Sequence, residues 1–517
     1  MTTQHQSLAD LIEDSLQQHA DAPAFSCLGQ TLTFADIDAK SKALAAWLQA
    51  HPQLQPGDRI AIQLPNVIQY PISVYAALRA ELVIVNINPL YTPAEMAHQL
   101  KDSGAKAIII LDDLLGKLQQ IQEQTAIDLV LATKADDLLS GNGGSASESV
   151  LSFNQCIEEG LSLALQKRKS ANSDDVCVLQ YTGGTTGVSK GAMLTNNNLL
   201  SNAQQTIERL GARCGVESEI FVCPLPLYHI YAFTVNMIAF ASRGNLNILI
   251  PNPRDVTGFI NAIKPFKFTG FSGINTLFVG LCQVPDFKAL DFSALHLTIS
   301  GGSALTTTAA KTWFDVTGCT ISEGYGLSET SPVLCLNTPG EEQIGTVGLP
   351  LKDTEIQLWN EQNQAVTDGD EGEIVIRGPQ VMLGYWQRKD ETAKVITDDG
   401  FFKTGDVGVR LPSGHIKIVD RLKDMIIVSG FNVYPNEIED VLVQHPAVLE
   451  AAVIGEVDDK TGEKVCAYIT TTSAISNQEI IDFCKLQLTN YKVPKKVVIL
   501  DELPKSSVGK ILRRKLR

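Results

Sequence analysis

The chain has 517 residues, 44% of them hydrophobic and 19% charged, with a formal net charge of −16. That length is too great for one core and sets two or three domains as the expectation. The acidic balance excludes general nucleic-acid binding and fits a soluble cytoplasmic protein. Ten cysteines at irregular spacings, with no C-x-x-C pair, read as reduced structural thiols. Residues 1–16 lack the basic start of a signal peptide. No apolar run is long enough to cross a bilayer, so any membrane contact would be peripheral.

In chain order, residues 8–16 predict an amphipathic helix. Short apolar runs at 60–64, 83–87 and 107–111 enclose helical patterns at 41–48 and 93–100, which argues for parallel sheets covered by helices. Residues 140–149, rich in Gly and Ser, predict a flexible surface loop. A buried strand at 176–179 then opens into Gln180-Tyr181-Thr182-Gly183-Gly184-Thr185-Thr186-Gly187-Val188-Ser189-Lys190-Gly191. Its glycines let backbone N–H groups converge, and Thr182, Thr185, Thr186 and Ser189 add hydroxyls. With Lys190 as the cation, the set suits phosphate oxygens. It is not a Walker A loop, which needs G-x-x-x-x-G-K-[ST] running straight into a helix. Here a short apolar piece at 192–194 precedes a helix starting near Thr195, with Leu199, Ala203, Ile207 and Leu210 at helical spacing.

Farther on, Pro224 and Pro226 fix the backbone before His229, Tyr231 and Phe233. A strand at 297–300 ends in Gly301-Gly302-Ser303, where a flat ring could lie against the backbone. Glu323-Gly324-Tyr325-Gly326-Leu327-Ser328-Glu329 offers an aromatic face, a hydroxyl and a hard carboxylate ligand. An alternating strand at 372–377 leads to Thr404-Gly405-Asp406, read as a carboxylate at the end of a glycine turn, able to accept two ribose hydroxyls. Asp420-Arg421-Leu422-Lys423-Asp424 carries four charges between apolar strands. Gly430-Phe431 follows, and Pro435 stands at a helix start. From Lys505 the tail has six basic residues and no acid, including Lys510. Such a tail is solvated or attracted to anionic surfaces. Taken singly, most of these would be turns, core residues or solvated charges.

Their order gives them meaning. The loop at 181–191 resembles the phosphate loop of the adenylate-forming (AMP-binding) superfamily, Y-T-S-G-T-T-G-x-P-K-G, with Gly183 for Ser and Ser189 for Pro. The later segments resemble that superfamily's P-[LM]-x-H, Y-G-x-T-E, T-G-D, linker and P-K-[ST]-x-x-G-K motifs, with Ser328 for Thr. Residues 379–386 and 430–439 look especially like bacterial long-chain fatty acid–CoA ligases, and 399–408 resembles the fatty acyl–CoA synthetase signature. The resemblance implies an α/β fold: a large N-terminal adenylate-forming domain of helix-covered sheets (1–419), a hinge (420–425) and a small mobile α+β lid (426–517).

It also implies roles. ATP or AMP would meet Thr182, Gly183, Gly184, Thr185, Thr186, Gly187 and Lys190, with Gly301, Gly302, Ser303, Glu323, Gly324, Tyr325 and Gly326 around adenine, and Asp406 and Arg421 on the ribose. Glu329 would bind Mg²⁺, Ser328 the α-phosphate, and Lys510 would be the catalytic lysine. His229 would line the carboxylate pocket and act in catalysis. His229, Tyr231 and Phe233 would form the acyl pocket, with Phe233 as its gate. Lys423 would be the hinge, and Gly430 and Phe431 would face coenzyme A. The implied reaction joins a fatty acid and coenzyme A through an acyl-adenylate, with ATP and coenzyme A as co-substrates. Peripheral inner-membrane contact and a homodimer stay open. So does a rival substrate class: a fatty acyl-AMP ligase, or a medium-chain or aryl acid–CoA ligase. A thioesterase would need G-x-S-x-G, which is absent. A non-catalytic lipid or nucleotide carrier could dispense with Lys510 and Glu329.

Overall fold

The computed structural model describes residues 5–140, 150–168, 172–182, 188–506 and 509–517. The expected surface loop beyond residue 140 and the phosphate-loop residues Gly183, Gly184, Thr185, Thr186 and Gly187 lie outside the described residues.

Helix starts follow local chemistry. Thr92 accepts the Glu95 N–H, Glu95 reaches back to the Thr92 N–H, and Pro93 takes the first helical position of Pro93–Ser103. Gly104, at φ +62°, ends that helix. Thr195 and Asn198 cap Asn196–Leu210 in the same reciprocal way, at the start expected from sequence. The helical pattern at 41–48 belongs to a longer helix, Phe34–Ala50, whose start is boxed by Thr33 and Asp36.

Among the described residues the strands form four sheets. The first is eight-stranded. Leu151–Ser152, Leu129–Thr133, Ala107–Leu111, Arg59–Gln63, Val83–Asn86 and Val176–Thr182 run parallel. Their near-continuous apolar runs are what a sheet covered on both faces requires. The piece at 192–194 is part of a strand, Lys190–Thr195, which turns back antiparallel and is paired in turn by Gly384–Tyr385. The second sheet is nine-stranded, with Leu297–Ser300 and Ile321–Gly326 parallel near its centre. The third, four-stranded and antiparallel, ends in Ile416–Arg421.

The fourth sheet is built from residues 426–499 on its own apolar core, which includes Ile426, Val453, Ile469 and Val497. A further core lies under the nine-stranded sheet around Trp313, which has no exposed surface. Trp313 packs on Phe271, Phe278 and Phe287 at ring-centroid distances of 5.0, 4.8 and 5.7 Å.

Candidate active site

A cleft of roughly 2050 Å³ is lined by residues from all four sheets. The parallel strands Leu297–Ser300, Ile321–Gly326 and Val176–Thr182 reach it with their carboxyl ends, the usual place for a ligand in such sheets.

One wall is glycine-bounded. A Cβ on Gly301 would lie 3.3 Å from the Tyr231 ring and 3.5 Å from the Gly324 carbonyl, and Gly302 sits at φ +81°. The buried hydroxyls of Ser300 and Ser303 line this wall without a partner among the described residues, so they are available to a ligand. Glu323 is buried, accepts the Leu305 N–H at 3.0 Å and is pushed up to about 8 by that burial. Its carboxyl therefore ties strand Ile321–Gly326 to the loop at 301–306 as well as facing the cleft. Gly326 answers a packing demand: a Cβ there would fall 1.9 Å from the Pro332 carbonyl.

Tyr325 donates its hydroxyl to Asp406 Oδ2 at 2.6 Å, and Arg421 pairs with Asp406, its Nε 3.1 Å from Oδ1. Asp406 does not end a turn, as its glycine neighbour suggested. It lies inside strand Phe402–Arg410, at a bulge where Thr404, Gly405 and Asp406 oppose Ile374 alone. Gly405 adopts φ +72°, and the extra residues push the Asp406 carboxylate out of the ladder toward the cleft.

Ser328 and Glu329 lie on the single turn Ser328–Thr330. Glu329 is buried and accepts the Tyr385 hydroxyl at 2.8 Å; burial holds its carboxyl above the usual range. Lys190 pairs with Glu391 and stands 5.0 Å from the Tyr385 ring centre. Hydrogen bonds from Lys190 and Lys394 hold the Glu391 carboxyl down at about 2.

His229 caps the short helix Ile230–Ala232, its Nδ1 accepting the Tyr231 N–H at 3.4 Å. That leaves the ring proton on Nε2. Burial, then the charge of Lys510, hold His229 down at about 4, so it is neutral at pH 7. Tyr231 lines the cleft and donates its hydroxyl to the Ile299 carbonyl at 3.0 Å. Phe233 begins a π-helix, Phe233–Phe240, and is fully buried in the main core; it is not among the residues lining the cleft.

Lys510 enters from the far C-terminus on a tight turn. Gly509, at φ +82°, accepts the Thr276 hydroxyl on its carbonyl at 3.0 Å. A Cβ on Gly509 would meet Ile274 at 2.8 Å. Burial, then Arg421, push the Lys510 amine down to about 8. Lys423 also lines the cleft and is held near 8, by burial and then Arg421. Gly430 and Phe431 do not line the cleft; Phe431 is 55% exposed and stacks on Tyr491 at 4.8 Å.

Thr182, Lys190, Gly301, Gly302, Ser303, Glu323, Gly324, Tyr325, Gly326, Ser328, Glu329, His229, Tyr231, Asp406, Arg421, Lys423 and Lys510 thus share one cleft. Three of the tail's six basic residues form ion pairs with acids elsewhere in the described chain. Lys505 pairs with Glu450, Arg513 with Asp420 and Glu439, and Arg517 with Asp424. Arg514 and Lys515 have no ion-pair partner among the described residues. Sequence reading missed Tyr385 and Glu391 as partners of Glu329 and Lys190. The Gly384–Tyr385 pairing that places them is a two-residue strand with no periodicity to read.

Comparison with known proteins agrees with this geometry. The AMP-binding enzyme family matches residues 12–386, and its C-terminal domain matches 437–510. A long-chain-fatty-acid–CoA ligase of Escherichia coli O157:H7 is 43% identical, over 99% of this chain and 94% of the relative. One from Haemophilus influenzae is 40% identical, over 100% and 95%. The solved structure of an anthranilate CoA ligase with anthranoyl-AMP superposes with a TM-score of 0.90 at 26% identity, covering 99% of this chain and 96% of that one. A benzoate CoA ligase from Burkholderia xenovorans LB400 gives 0.87 at 27% identity, covering 99% of each chain. With matches to both the large N-terminal and the smaller C-terminal domain, the chain belongs to the AMP-binding enzyme family.

Proposed function

We propose that the protein activates long-chain fatty acids to acyl-CoA in two steps. The fatty acid carboxylate attacks the α-phosphate of ATP, releasing pyrophosphate. The coenzyme A thiolate then attacks the acyl-adenylate carbonyl, and AMP leaves. The observation that carries this reading is Lys510 in the same cleft as Glu329, Asp406 and His229. It is supported by 40–43% identity to curated ligases of that name.

The first step needs two anions brought together, so the work is positioning and charge neutralisation. Lys510 would bridge the carboxylate and the α-phosphate. Neutral His229 leaves the carboxylate's charge to Lys510 and offers an Nε2 proton to its oxygen. Asp406, fixed by Tyr325 and Arg421, would accept the ribose hydroxyls, and Ser300 and Ser303 have hydroxyls to spare for the nucleotide.

The site also fits Mg²⁺. Among the described residues no group of three carboxylate, His or Cys side chains could cage a metal. Buried Glu329 has no ion-pair partner there. One carboxylate with substrate phosphates is the usual Mg²⁺ arrangement. Glu329 would hold the ion, which would shield phosphate charge.

For the second step, residues 426–517 would turn on the hinge 420–425, about Lys423, bringing Gly430 and Phe431 to the cleft. Their own apolar core suits movement as a unit.

The test is acyl-CoA formation by purified protein from saturated fatty acids of graded length, with benzoate and 4-coumarate as competitors. Long chains should give the highest kcat/KM. Preference for an aryl acid, or adenylate without acyl-CoA, would replace this reading by one of its rivals.

Two further outcomes are expected. Asp406→Ala should weaken both ATP and acyl-adenylate binding, by about 1.5–3 kcal/mol if one charged hydrogen-bond partner is lost. Calorimetric titration measures both, and unchanged affinity in the folded variant removes Asp406 from the nucleotide site. The pH dependence follows from Lys510. Its amine acts as a cation, and the cation is the form present below its pKa near 8. Fatty-acid-dependent pyrophosphate release should therefore fall as pH rises through about 8. A profile flat to about two pH units above that limb would mean that the Lys510 charge is not what limits the step.

A further inference from the structure

Arg513, three residues beyond Lys510, touches no reacting group, yet it is the best-connected cation of the tail. Its Nε and Nη2 donate to the two carboxylate oxygens of Glu439 at 2.9 and 2.7 Å, a two-pronged pair. Nη2 also donates to Asn436 Oδ1 at 2.5 Å. Both partners lie on helix Pro435–Leu442, beyond the hinge. Its Nη1 donates in the other direction, to Asp420 Oδ1 at 3.1 Å. Asp420 belongs to strand Ile416–Arg421, on the N-terminal side of the pivot Lys423, and is 1% exposed. Asp420 Oδ2 accepts the Asn436 N–H at 2.8 Å, and Asn436 Nδ2 donates to the Val419 carbonyl at 3.0 Å.

We propose that Arg513 and Asp420 form a clasp across the hinge that positions Lys510 for adenylation and opens for the thioester step. The inference rests on the two-step reading. A turn about Lys423 leaves Asp420 with its strand and carries Arg513, Asn436 and Glu439 away together. The contacts of Asp420 to Arg513 and Asn436 must then break, together with the Asn436–Val419 bond. The Arg513–Glu439 pair travels intact, so the arginine keeps a counter-ion in both positions and only Asp420 must find new partners. A buried carboxylate is costly without its cation, which makes the clasp either closed or open with little between. When closed, it anchors the segment after Lys510 while Thr276 holds Gly509 before it. The lysine is pinned from both sides. Arg513 is thus a positioning residue and not a catalytic one. Its charge also acts at a distance. Lys510 is faced by Arg421, Asp406, Arg513, Lys423 and His229, and Arg513 is one of the cations that disfavour its protonated form.

The test compares half-reactions in Arg513→Gln and Asp420→Asn, which attack the clasp from opposite sides of the hinge. Fatty-acid-dependent pyrophosphate release should fall by about 10²-fold in each, the loss expected for a misplacement of ~1 Å. Acyl-CoA formation from synthetic acyl-adenylate and coenzyme A should change far less. Arg513→Lys should not restore the first step, because an ammonium cannot make the two-pronged contact. In Arg513→Gln the basic limb of the pyrophosphate-release profile should move to higher pH, since a cation near Lys510 is gone. A purely structural arginine would instead depress both half-reactions alike. Equal losses in both half-reactions, no loss in either, or an unmoved limb overturns the clasp. If Arg513→Gln does not fold, Asp420→Asn, which keeps size and shape, decides by the half-reaction split. Wild-type protein that releases no pyrophosphate overturns the ligase reading instead.

Discussion

Lys510→Ala should lose adenylation by on the order of 10²–10³, the loss typical of one preorganised electrostatic donor. The thioester step, assayed from synthetic acyl-adenylate and coenzyme A, should survive nearly intact. The reasoning is geometric. In this arrangement Lys510 lies in the cleft with Glu329 and Asp406, Thr276 holds Gly509, and Gly430 and Phe431 lie off the cleft. This arrangement presents the first set of residues and not the second. Pyrophosphate release and acyl-CoA formation measured on one preparation give an internal control, since a misfolded protein loses both. Equal losses would remove both the role of Lys510 and the two-position scheme.

Trp313→Ala should destabilise the N-terminal domain by about 3–5 kcal/mol, the usual cost of truncating a buried large aromatic. Trp313 fills the centre of a cluster of Phe271, Phe278 and Phe287 and donates its Nε1–H to Thr298 at 3.1 Å. Phe278 belongs to helix Asn275–Leu281, the helix that carries Thr276. Thr298 belongs to the strand that ends at Gly301. The damage should therefore spread to the docking of Gly509 and to the wall of the cleft at Gly301–Ser303. Urea titration with intrinsic and nucleotide-analogue fluorescence would report both; Trp313→Phe should recover most of the packing while losing the hydrogen bond. An unchanged urea midpoint for the alanine variant would show that the cluster closes over the gap.

Much of this was legible because it is local. Thr92-Pro93 with Glu95, and Thr195 before its apolar stripe, announce helix starts through contacts three residues long. The runs at 60–64, 83–87 and 107–111 became parallel strands because such strands are apolar on both faces. The cleft residues were legible through motifs, and they do converge. What was illegible depends on distant chain. Glu329 meets Tyr385 across 56 positions and Lys190 meets Glu391 across 201. Asp406 resembles a turn residue because glycine precedes it, but pairing with 371–377 makes the segment a bulged strand. Phe233 follows His229 at a suggestive spacing, yet the π-helix it starts carries it into the core. The tail looked like a free basic patch because its acids, Asp420, Asp424, Glu439 and Glu450, come 55–93 positions earlier, as the pairs Lys505–Glu450 and Arg517–Asp424 show.

The contact between Lys190 and Glu391 changes what binding at that lysine means. An anion drawn there would compete with a resident carboxylate, which Lys394 would still hold by its other oxygen. The strength of capture is then a difference between two anions, and not the full attraction of either. Weak or singly charged anions gain little from such an exchange, whereas a multiply charged phosphate chain gains more. Such a lysine would favour the more highly charged guest, and Glu391 would be at hand to take its place when the guest leaves.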